Sequence, residues 1–213
     1  MANKTRSQEV INFQKQQMSK AALEIIVKDG YNSLSIRKLS KSLQVSTSTI
    51  YNYFKNRDEI YIYVLNCGFE MLFDEFKNAC NSHTKPIDKL KALCDTFFSF
   101  SIRERDLTFI MLILDTPKYY DYVETDYEPF MRIELTNALK CRDIIMQTIT
   151  EIADTNPLIP REDIPYHTFN IISRMIGLVT VNNNNLIKYI TSDMEGGIEK
   201  VLKDIIRPFE MIE

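Results

Sequence analysis

Glycine is scarce in this chain, with only five among 213 residues, alongside seven prolines. Few loops can therefore require the backbone angles that glycine adopts most freely, which favours a mostly helical protein. Long hydrophobic runs are also lacking, since the longest strongly apolar stretch, Leu107–Leu114, is far shorter than the roughly 20 residues that span a bilayer. Because Met1–Lys20 is polar and carries no apolar run, we expect no signal peptide, no membrane partner and a cytoplasmic location.

Signatures of metal and redox sites are missing as well. The sequence has no C-x-x-C motif, so we interpret its four widely spaced cysteines as thiols of apolar helices. They are Cys67, Cys80, Cys94 and Cys141. His83 and His167 are the only histidines, and neither has cysteines or carboxylates at metal-ligand spacing. We therefore expect no metal and no cofactor.

Catalytic motifs are equally hard to find. The chain contains no G-x-G-x-x-G, no P-loop and no G-x-S-x-G. Glu124, Asp126 and Glu128 form an acidic cluster in a tyrosine-rich stretch, which is more typical of a solvated face than of paired catalytic carboxylates. Helical di-iron proteins would need a Glu-x-x-His pattern that is not present. The sequence thus predicts that the protein is not an enzyme.

Charge is distributed unevenly along the chain. The formal net charge is −3, but residues 1–60 hold ten Lys/Arg and five Asp/Glu, a local net charge of +5. The remainder carries a net charge of −8. An attractive field for phosphate is thus concentrated in the first quarter of the sequence, which favours nucleic-acid binding there.

Hydrophobic residues recur at helical spacing nearly throughout. Met18, Ala22, Ile25 and Ile26 form one stripe, and Gly30 ends that helix. Ser35 and Ser46 stand where N-caps of two short helices belong. A long helix follows from Arg57 to near Ser82, and further helices are predicted at about 86–104, 106–115, 129–154, 163–182 and 193–211. Residues 115–128 are expected to be irregular and Asn182–Asn185 to form a helix end and loop, and no segment alternates as a strand does.

Residues 35–54 combine two short helices with a turn of three to four residues, which is the helix-turn-helix pattern. The first helix supports the second through aliphatic residues. These are Ile36, Leu39, Leu43, Val45 and Ile50. On the side of the second helix opposite Ile50 and Phe54, small polar and aromatic side chains suit a DNA major groove. That outward face comprises Thr47, Ser48, Tyr51 and Asn52.

The stretch from Met18 to Ile60 resembles the N-terminal signature of the TetR family of regulators in order and spacing. The most specific part is Tyr51–Lys55, read Y-N-Y-F-K, followed by an acidic pair. The resemblance covers about a fifth of the chain. It implies an all-α homodimer with an N-terminal three-helix DNA-binding domain, residues 1–56, and a larger helical ligand-binding and dimerisation domain, residues 57–213.

The resemblance also implies which residues touch double-stranded DNA. They are Ser35, Ser46, Thr47, Ser48, Thr49, Tyr51, Asn52, Tyr53 and Arg57. Thr49, Tyr53 and Arg57 would mostly hold phosphates. Two departures matter: Gln44 stands in the turn, and Ser48 in the recognition helix, where family members commonly have glycine. Gln44 is expected either to adopt left-handed backbone angles at a cost of about 1 kcal/mol or to alter the turn slightly, which would shift the contacts that follow it.

The last two long helices are apolar on wide faces, which predicts burial against both the chain's own core and a second subunit. The residues predicted at the dimer interface are Phe169, Ile172, Ile176, Val179, Val201, Leu202, Ile205 and Phe209. A larger intramolecular core would explain the same pattern. Gly177 would allow close helix approach.

A small-molecule effector is expected in the larger domain, where methionine and aromatic side chains suit an adaptable apolar site. The candidates are Phe97, Phe98, Phe109, Met111, Tyr119, Tyr120, Met131, Met146 and Met175. For any one of these residues taken alone, ordinary core packing is the favoured reading. The sequence therefore predicts a ligand-responsive repressor; a helical protein–protein interaction module that does not use its helix-turn-helix on DNA is the main alternative.

Overall fold

A computed structural model describes residues 7–210 of the chain. It begins with three helices, α1 (Gln8–Asp29), α2 (Ile36–Ser42) and α3 (Thr47–Tyr51), with a 3-10 turn at Tyr31–Ser33. Gly30 ends α1 with a φ of 83°, in the left-handed region, where the absence of a β-carbon removes the steric cost. The predicted helix end at this glycine is confirmed.

Seven α-helices follow within the described residues; four of them lie close to predicted bounds, two are shorter than predicted, and the short helix Ile187–Ile190 was not predicted. They are α4 (Arg57–Asn81), α5 (Pro86–Arg103), α6 (Arg105–Thr108), α7 (Glu128–Ala153), α8 (Ile164–Asn183), α9 (Ile187–Ile190) and α10 (Met194–Ile206). No strand occurs between residues 7 and 210, so the all-α class is confirmed. None of the helices in this range is long and apolar enough to cross a membrane.

The chain folds into two compact units, each made of two stretches. Unit 1 comprises Met1–Gly68 and Phe109–Leu135, and unit 2 comprises Phe69–Thr108 and Thr136–Glu213. The unit that contains the helix-turn-helix thus also contains a second stretch from the middle of the sequence. The functional division between residues 1–56 and 57–213 stays a prediction.

Apolar side chains of the first four helices fill the interior of unit 1. Ile26, Leu39, Ile50 and Ile60 have no exposed surface. Tyr61 is equally buried, and its hydroxyl donates to the Pro117 carbonyl at 2.8 Å and lies 2.8 Å from the Thr116 hydroxyl. Because both partners lie in the second stretch of unit 1, the phenol ties that stretch to α4.

The segment 106–115 departs from the predicted continuous α-helix. After α6 the backbone widens into a π-helix at Phe109–Ile113, in which the Leu114 amide donates to the Phe109 carbonyl. The Lys118 ammonium group donates to the Ile110 carbonyl at 3.1 Å and to Thr116 Oγ1 at 2.8 Å. The Lys118 ammonium group thus competes with a backbone amide for the Ile110 carbonyl. This competition explains the wider turn. Residues 115–128 are largely irregular, as predicted, with a 3-10 turn at Tyr119–Tyr122.

Unit 2 is organised around contacts among α5, α8 and α10. The Arg174 guanidinium donates to the Asp204 carbonyl at 2.9 Å, and so links α8 to α10. α10 ends at Ile206 and passes into a 3-10 turn, Arg207–Phe209, because Pro208 has no amide hydrogen to continue the helix. The prediction that this helix continues to about residue 211 is therefore wrong, because the α-helix already ends at Ile206. The loop predicted at Asn182–Asn185 is confirmed, with Asn185 at a φ of 57°.

Glu134 of α7 is a buried carboxyl in unit 1, with 7% of its surface exposed. Burial raises the pKa of Glu134 to about 7 from its ordinary 4.5, and the Lys118 ammonium group opposes this shift. The folded protein therefore binds this proton more tightly than the unfolded chain does. It follows that this group lowers the stability of the fold as pH rises from about 4.5 to about 7.

We predict that Glu134→Gln removes this pH dependence. Between pH 4.5 and 7.5 the free energy of unfolding of the wild type should fall relative to that of the variant, on the order of 1 to 3 kcal/mol. Urea unfolding at fixed protein concentration over a series of pH values measures this difference. Glu162→Gln, at an exposed carboxyl, is the control. Parallel wild-type and Glu134→Gln profiles would contradict the assignment.

Candidate DNA-binding surface

The recognition helix α3 has only five residues, Thr47–Tyr51, and lies on a buried apolar support. Ile50 and Leu39 have no exposed surface, and Phe54 is 1% exposed. Helices this short are not stable alone, so the packing of Ile50 fixes the position of α3. Val45, which the sequence assigned to this support, is instead 38% exposed.

The opposite face of α3 is open to solvent. Thr47, Ser48 and Asn52 are exposed, and Tyr51 has 57% of its surface accessible. Thr49 and Tyr53 are half-buried at the sides of this face. The structure therefore brings together the residues predicted to read base edges on one outward surface.

Two serines cap the helices of the motif. Ser35 Oγ accepts from the Lys38 amide at 3.2 Å, and Ser46 Oγ accepts from the Thr49 amide at 3.2 Å. Ser46 Oγ also lies 2.7 Å from Ser48 Oγ and 2.8 Å from Thr49 Oγ1. The predicted N-caps are confirmed, but their oxygens occupy amides that would otherwise be available to phosphate. Any phosphate contact by Ser35 or Ser46 would therefore use the hydroxyl proton.

Gln44 is in the left-handed region, with a φ of 55°. Its amide donates to the Lys41 carbonyl, and the next amide, that of Val45, donates to the Ser40 carbonyl. This is the geometry expected where the family commonly has glycine. The turn is thus kept with glutamine in place of glycine, although the β-carbon of Gln44 is sterically crowded at these backbone angles.

Arg57 begins α4 beside Tyr31 and Asp58. Its guanidinium carbon lies 5.1 Å from the centre of the Tyr31 ring, and its Nε lies 3.9 Å from Asp58 Oδ2. The Arg57 side chain is 40% exposed. The guanidinium thus remains accessible to an anion from solvent.

An open cleft of about 780 Å³ adjoins Arg57 within unit 1. Its lining carries four carboxylates and two phenols, contributed by both stretches of the unit. They are Asp29, Asp58, Asp115, Asp121, Tyr31 and Tyr122. The negative charge of this cleft sets it apart from the outward face of α3.

Some residues of this region were missed by the sequence analysis. Arg37 and Lys41 are exposed cations of α2. The excess of Lys and Arg among residues 1–60 was a signal that could have identified them. Tyr122 and its partners were also missed. No local pattern predicts that a tyrosine of the irregular segment contacts the start of α4.

The residues predicted at the dimer interface lie in unit 2 with different exposures. Phe169 is 68% exposed, and Ile172, Ile176, Val201 and Leu202 are half-buried. Three others are covered by the chain itself, which leaves little of their surface for a partner. These are Val179 (1% exposed), Ile205 (2%) and Phe209 (3%).

The residues predicted to bind a ligand are divided between the two units. Unit 1 holds Phe109, Met111, Tyr119, Tyr120 and Met131. Of these, Met131 is fully buried, whereas Tyr120 is 87% exposed. Unit 2 holds Phe97, Phe98, Met146 and Met175. Three cavities within residues 7–210 have linings that include none of these nine side chains.

Comparison with known proteins identifies the N-terminal motif. Residues 19–64 match the family described as "Bacterial regulatory proteins, tetR family". The N-terminal segment of the chain is therefore of the TetR type. The resemblance stated from the sequence is thereby confirmed.

Curated relatives of the chain include the fatty acid metabolism regulator protein of Bacillus subtilis, which is 26% identical over 94 residues, 44% of this chain and 48% of that protein. A transcriptional regulator of Staphylococcus aureus is 20% identical over 93 residues, 44% of this chain and 50% of that protein. The match therefore spans about half the length of these relatives.

Solved structures share the fold over nearly the whole chain. A tetR-family regulatory protein from Rhodococcus has a TM-score of 0.74 at 14% identity, covering 93% of this chain and 98% of that one. The Bacillus subtilis regulator FadR, solved in complex with stearoyl-CoA, has a TM-score of 0.69 at 18% identity, covering 91% and 98%. At these identities the similarity establishes the fold.

The strained turn generates a stability prediction. Gln44→Gly should raise the free energy of unfolding by about 0.5 to 1 kcal/mol, because it removes the β-carbon from the left-handed region. Ser42→Gly, at an exposed residue of α2, is the matched control and should lower stability by about 1 kcal/mol. Thermal or urea unfolding measures both. An equal loss in the two variants would contradict strain at Gln44.

Proposed function

We propose that the protein is a transcriptional repressor that binds double-stranded operator DNA by inserting α3 into the major groove. The observation that carries this proposal is the polarity of α3 and the residue after it, in which Ile50 is fully buried while Thr47, Tyr51 and Asn52 are exposed. A major groove admits a helix whose outward side chains are polar and short enough to reach base edges. The family membership of residues 19–64 supports the same role.

Specificity would reside in the outward side chains of α3. The Asn52 amide has the donor and acceptor needed to pair with an adenine edge, and Tyr51 or Thr47 can contact a thymine methyl group. Ser48 offers one further hydroxyl at a position where the family commonly has none. Thr49, Tyr53 and Arg57 would hold phosphates and fix the register of the helix on the duplex.

Operator binding should therefore separate two classes of variant. Tyr51→Ala or Asn52→Ala is expected to cost about 1 to 3 kcal/mol of discrimination between the operator and a scrambled duplex. Arg57→Ala is expected to weaken binding to all sequences alike and to make the plot of log affinity against log salt shallower by about 0.9. Fluorescence anisotropy at several salt concentrations measures both effects. Loss of sequence preference in Arg57→Ala alone would contradict these roles.

The operator complex is proposed to contain a homodimer, since two recognition helices about 34 to 36 Å apart would read successive major grooves. The exposed Phe169 and the half-exposed Ile172 and Ile176 of α8 offer an apolar contact surface. Gly177 is exposed in the middle of α8, and a β-carbon placed there would have no neighbour within 4 Å. Glycine in a helix costs about 1 kcal/mol relative to alanine. Among the described residues no atom lies near enough to Gly177 to require a glycine there, whereas close approach of a second α8 would require one.

Gly177→Leu is expected to convert the dimer to monomer at micromolar concentration, because the added side chain would keep the two helices apart. The isolated chain should not lose stability, since the space around Gly177 is open. Sedimentation velocity measures the change. Gln147→Leu, at an exposed residue of α7 in the same unit, is the control and should remain dimeric. A Gly177→Leu protein that stays dimeric would place the interface elsewhere.

The effector is proposed to be an acyl thioester, and its binding to release the operator. Support comes from the similarity to fatty acid regulators, one of them solved with stearoyl-CoA. The half-buried Phe97, Phe98 and Met146 of unit 2 offer apolar surface suited to an acyl chain. A ligand shifts DNA affinity only if it binds the two arrangements unequally. Stearoyl-CoA should therefore lower operator affinity, while coenzyme A alone should not.

This role requires no chemical conversion of the effector, and we propose that the protein is not an enzyme. Its operator would be chromosomal, which places the protein in the cytoplasm. Selection of genomic fragments by the purified protein would identify the operator and its neighbouring genes. Retention of no fragment above background would contradict the proposed function.

A further inference from the structure

Three side chains that are distant in sequence meet in unit 1. The hydroxyls of Tyr31 and Tyr122 donate hydrogen bonds to the same oxygen, Asp58 Oδ1, at 2.7 and 2.9 Å. The two phenolic oxygens lie 3.1 Å apart. Since each phenol has one proton and uses it on Asp58, the contact between the two oxygens is a packing contact. Asp58 is thus held by one tyrosine that precedes it in the sequence and by another that follows it.

Both phenols are held in their protonated, donating form. Burial raises the pKa of Tyr31 to about 12, and burial also raises the pKa of Tyr122 well above its ordinary value of 10. Tyr122 itself is only 6% exposed. The two hydrogen bonds to Asp58 therefore persist over the whole physiological range of pH.

The Asp58 carboxylate also lies next to Arg57. Its other oxygen, Oδ2, is 3.9 Å from Arg57 Nε, which is a long ion pair, and the guanidinium also lies over the Tyr31 ring. A free carboxylate at this position would attract Arg57 and compete with a DNA phosphate for it. Two phenolic donors on Oδ1 fix the carboxylate and draw its charge away from the arginine.

We propose that Tyr31 and Tyr122 are positioning residues for DNA binding, which hold Asp58 so that Arg57 remains available to a backbone phosphate. This inference rests on the proposed function, because it takes Arg57 as a phosphate contact. Tyr122 belongs to the second stretch of unit 1. Operator affinity would then depend on the position of that stretch, which gives it a route to regulate DNA binding.

Other hydrogen bonds fix the same stretch to the start of α4. The Tyr61 hydroxyl donates to the Pro117 carbonyl and contacts the Thr116 hydroxyl, and the Asn56 side-chain amide donates to the Tyr127 hydroxyl. The segment from Thr116 to Tyr127 thus contacts α4 and the residue preceding it at several points. A displacement of this segment would withdraw Tyr122 from Asp58 and leave the carboxylate free to pair with Arg57.

The test is a set of variants that change the hydrogen bonds but keep the volume of the side chains. Tyr122→Phe should weaken operator binding about 5- to 10-fold and make the salt dependence shallower by up to about 0.9, the contribution of one phosphate. Asp58→Asn should bind as tightly as the wild type or more tightly, because no anion then competes for Arg57. The double variant Tyr122→Phe/Asp58→Asn should behave like Asp58→Asn. Tyr120→Phe, at a residue that is 87% exposed, is the control.

A merely structural role for Tyr122 gives different results. In that case Asp58→Asn would weaken binding, and the double variant would be worse than either single variant. Either outcome overturns the proposal, as does an unchanged salt dependence in Tyr122→Phe. If Tyr122→Phe does not fold, Tyr31→Phe and Asp58→Asn decide in the same way.

Failure of the inference can be told apart from failure of the proposed function. Should Arg57→Ala reduce the salt dependence while Tyr122→Phe does not, the positioning role is wrong and the DNA-binding role stands. Should Arg57→Ala have no effect on binding to any duplex, Arg57 is not a phosphate contact, and both the inference and that part of the proposed function are wrong.

Discussion

The burial of Ile50 is the interaction on which the DNA-binding surface depends. A helix of five residues gains too few backbone hydrogen bonds to be stable in water. It persists because Ile50 is enclosed together with Leu39 and Phe54, all of them at most 1% exposed. Once Ile50 is fixed, the helical period turns Ser48 and Asn52 to the opposite, open side, and Thr47 and Tyr51 are exposed beside them. Packing beneath the helix therefore determines which groups face a duplex.

The same unit recruits a distant part of the sequence. The stretch Phe109–Leu135 folds with the helix-turn-helix rather than with the residues that flank it in the chain. Its attachment depends largely on tyrosine hydroxyls, from Tyr61, Tyr122 and Tyr127. Hydrogen bonds of this kind are directional, so a small displacement weakens them more than it weakens apolar packing. A contact of this type suits a segment whose position changes between functional states.

Local signals in the sequence predicted much of the fold. Gly30, Ser35, Ser46 and Pro86 mark helix ends through backbone angles and capping, which depend only on neighbouring residues. The outward face of α3 followed from the position of Ile50 in the helical period. The left-handed angle at Gln44 followed from the family resemblance and is confirmed.

Features that depend on distant residues were beyond such reasoning. The π-helix at Phe109–Ile113 arises because Thr116 and Lys118 compete for the Ile110 carbonyl. Tyr31 and Asp58 are separated by 27 residues, and Asp58 and Tyr122 by 64, so no local periodicity relates them. A hydrophobic stripe in the sequence also does not show whether it packs against its own chain or against a second subunit. Val179 was predicted at the dimer interface but is buried in the interior of its own unit.

The most direct test of the account is amide hydrogen exchange of the full chain with and without an operator duplex selected by the protein. The amides of residues 46–57 belong to a short helix and its flanking turns, which should open readily in the free protein. The account predicts that the duplex slows their exchange strongly. Unchanged exchange at these residues, with protection at another surface, would contradict it.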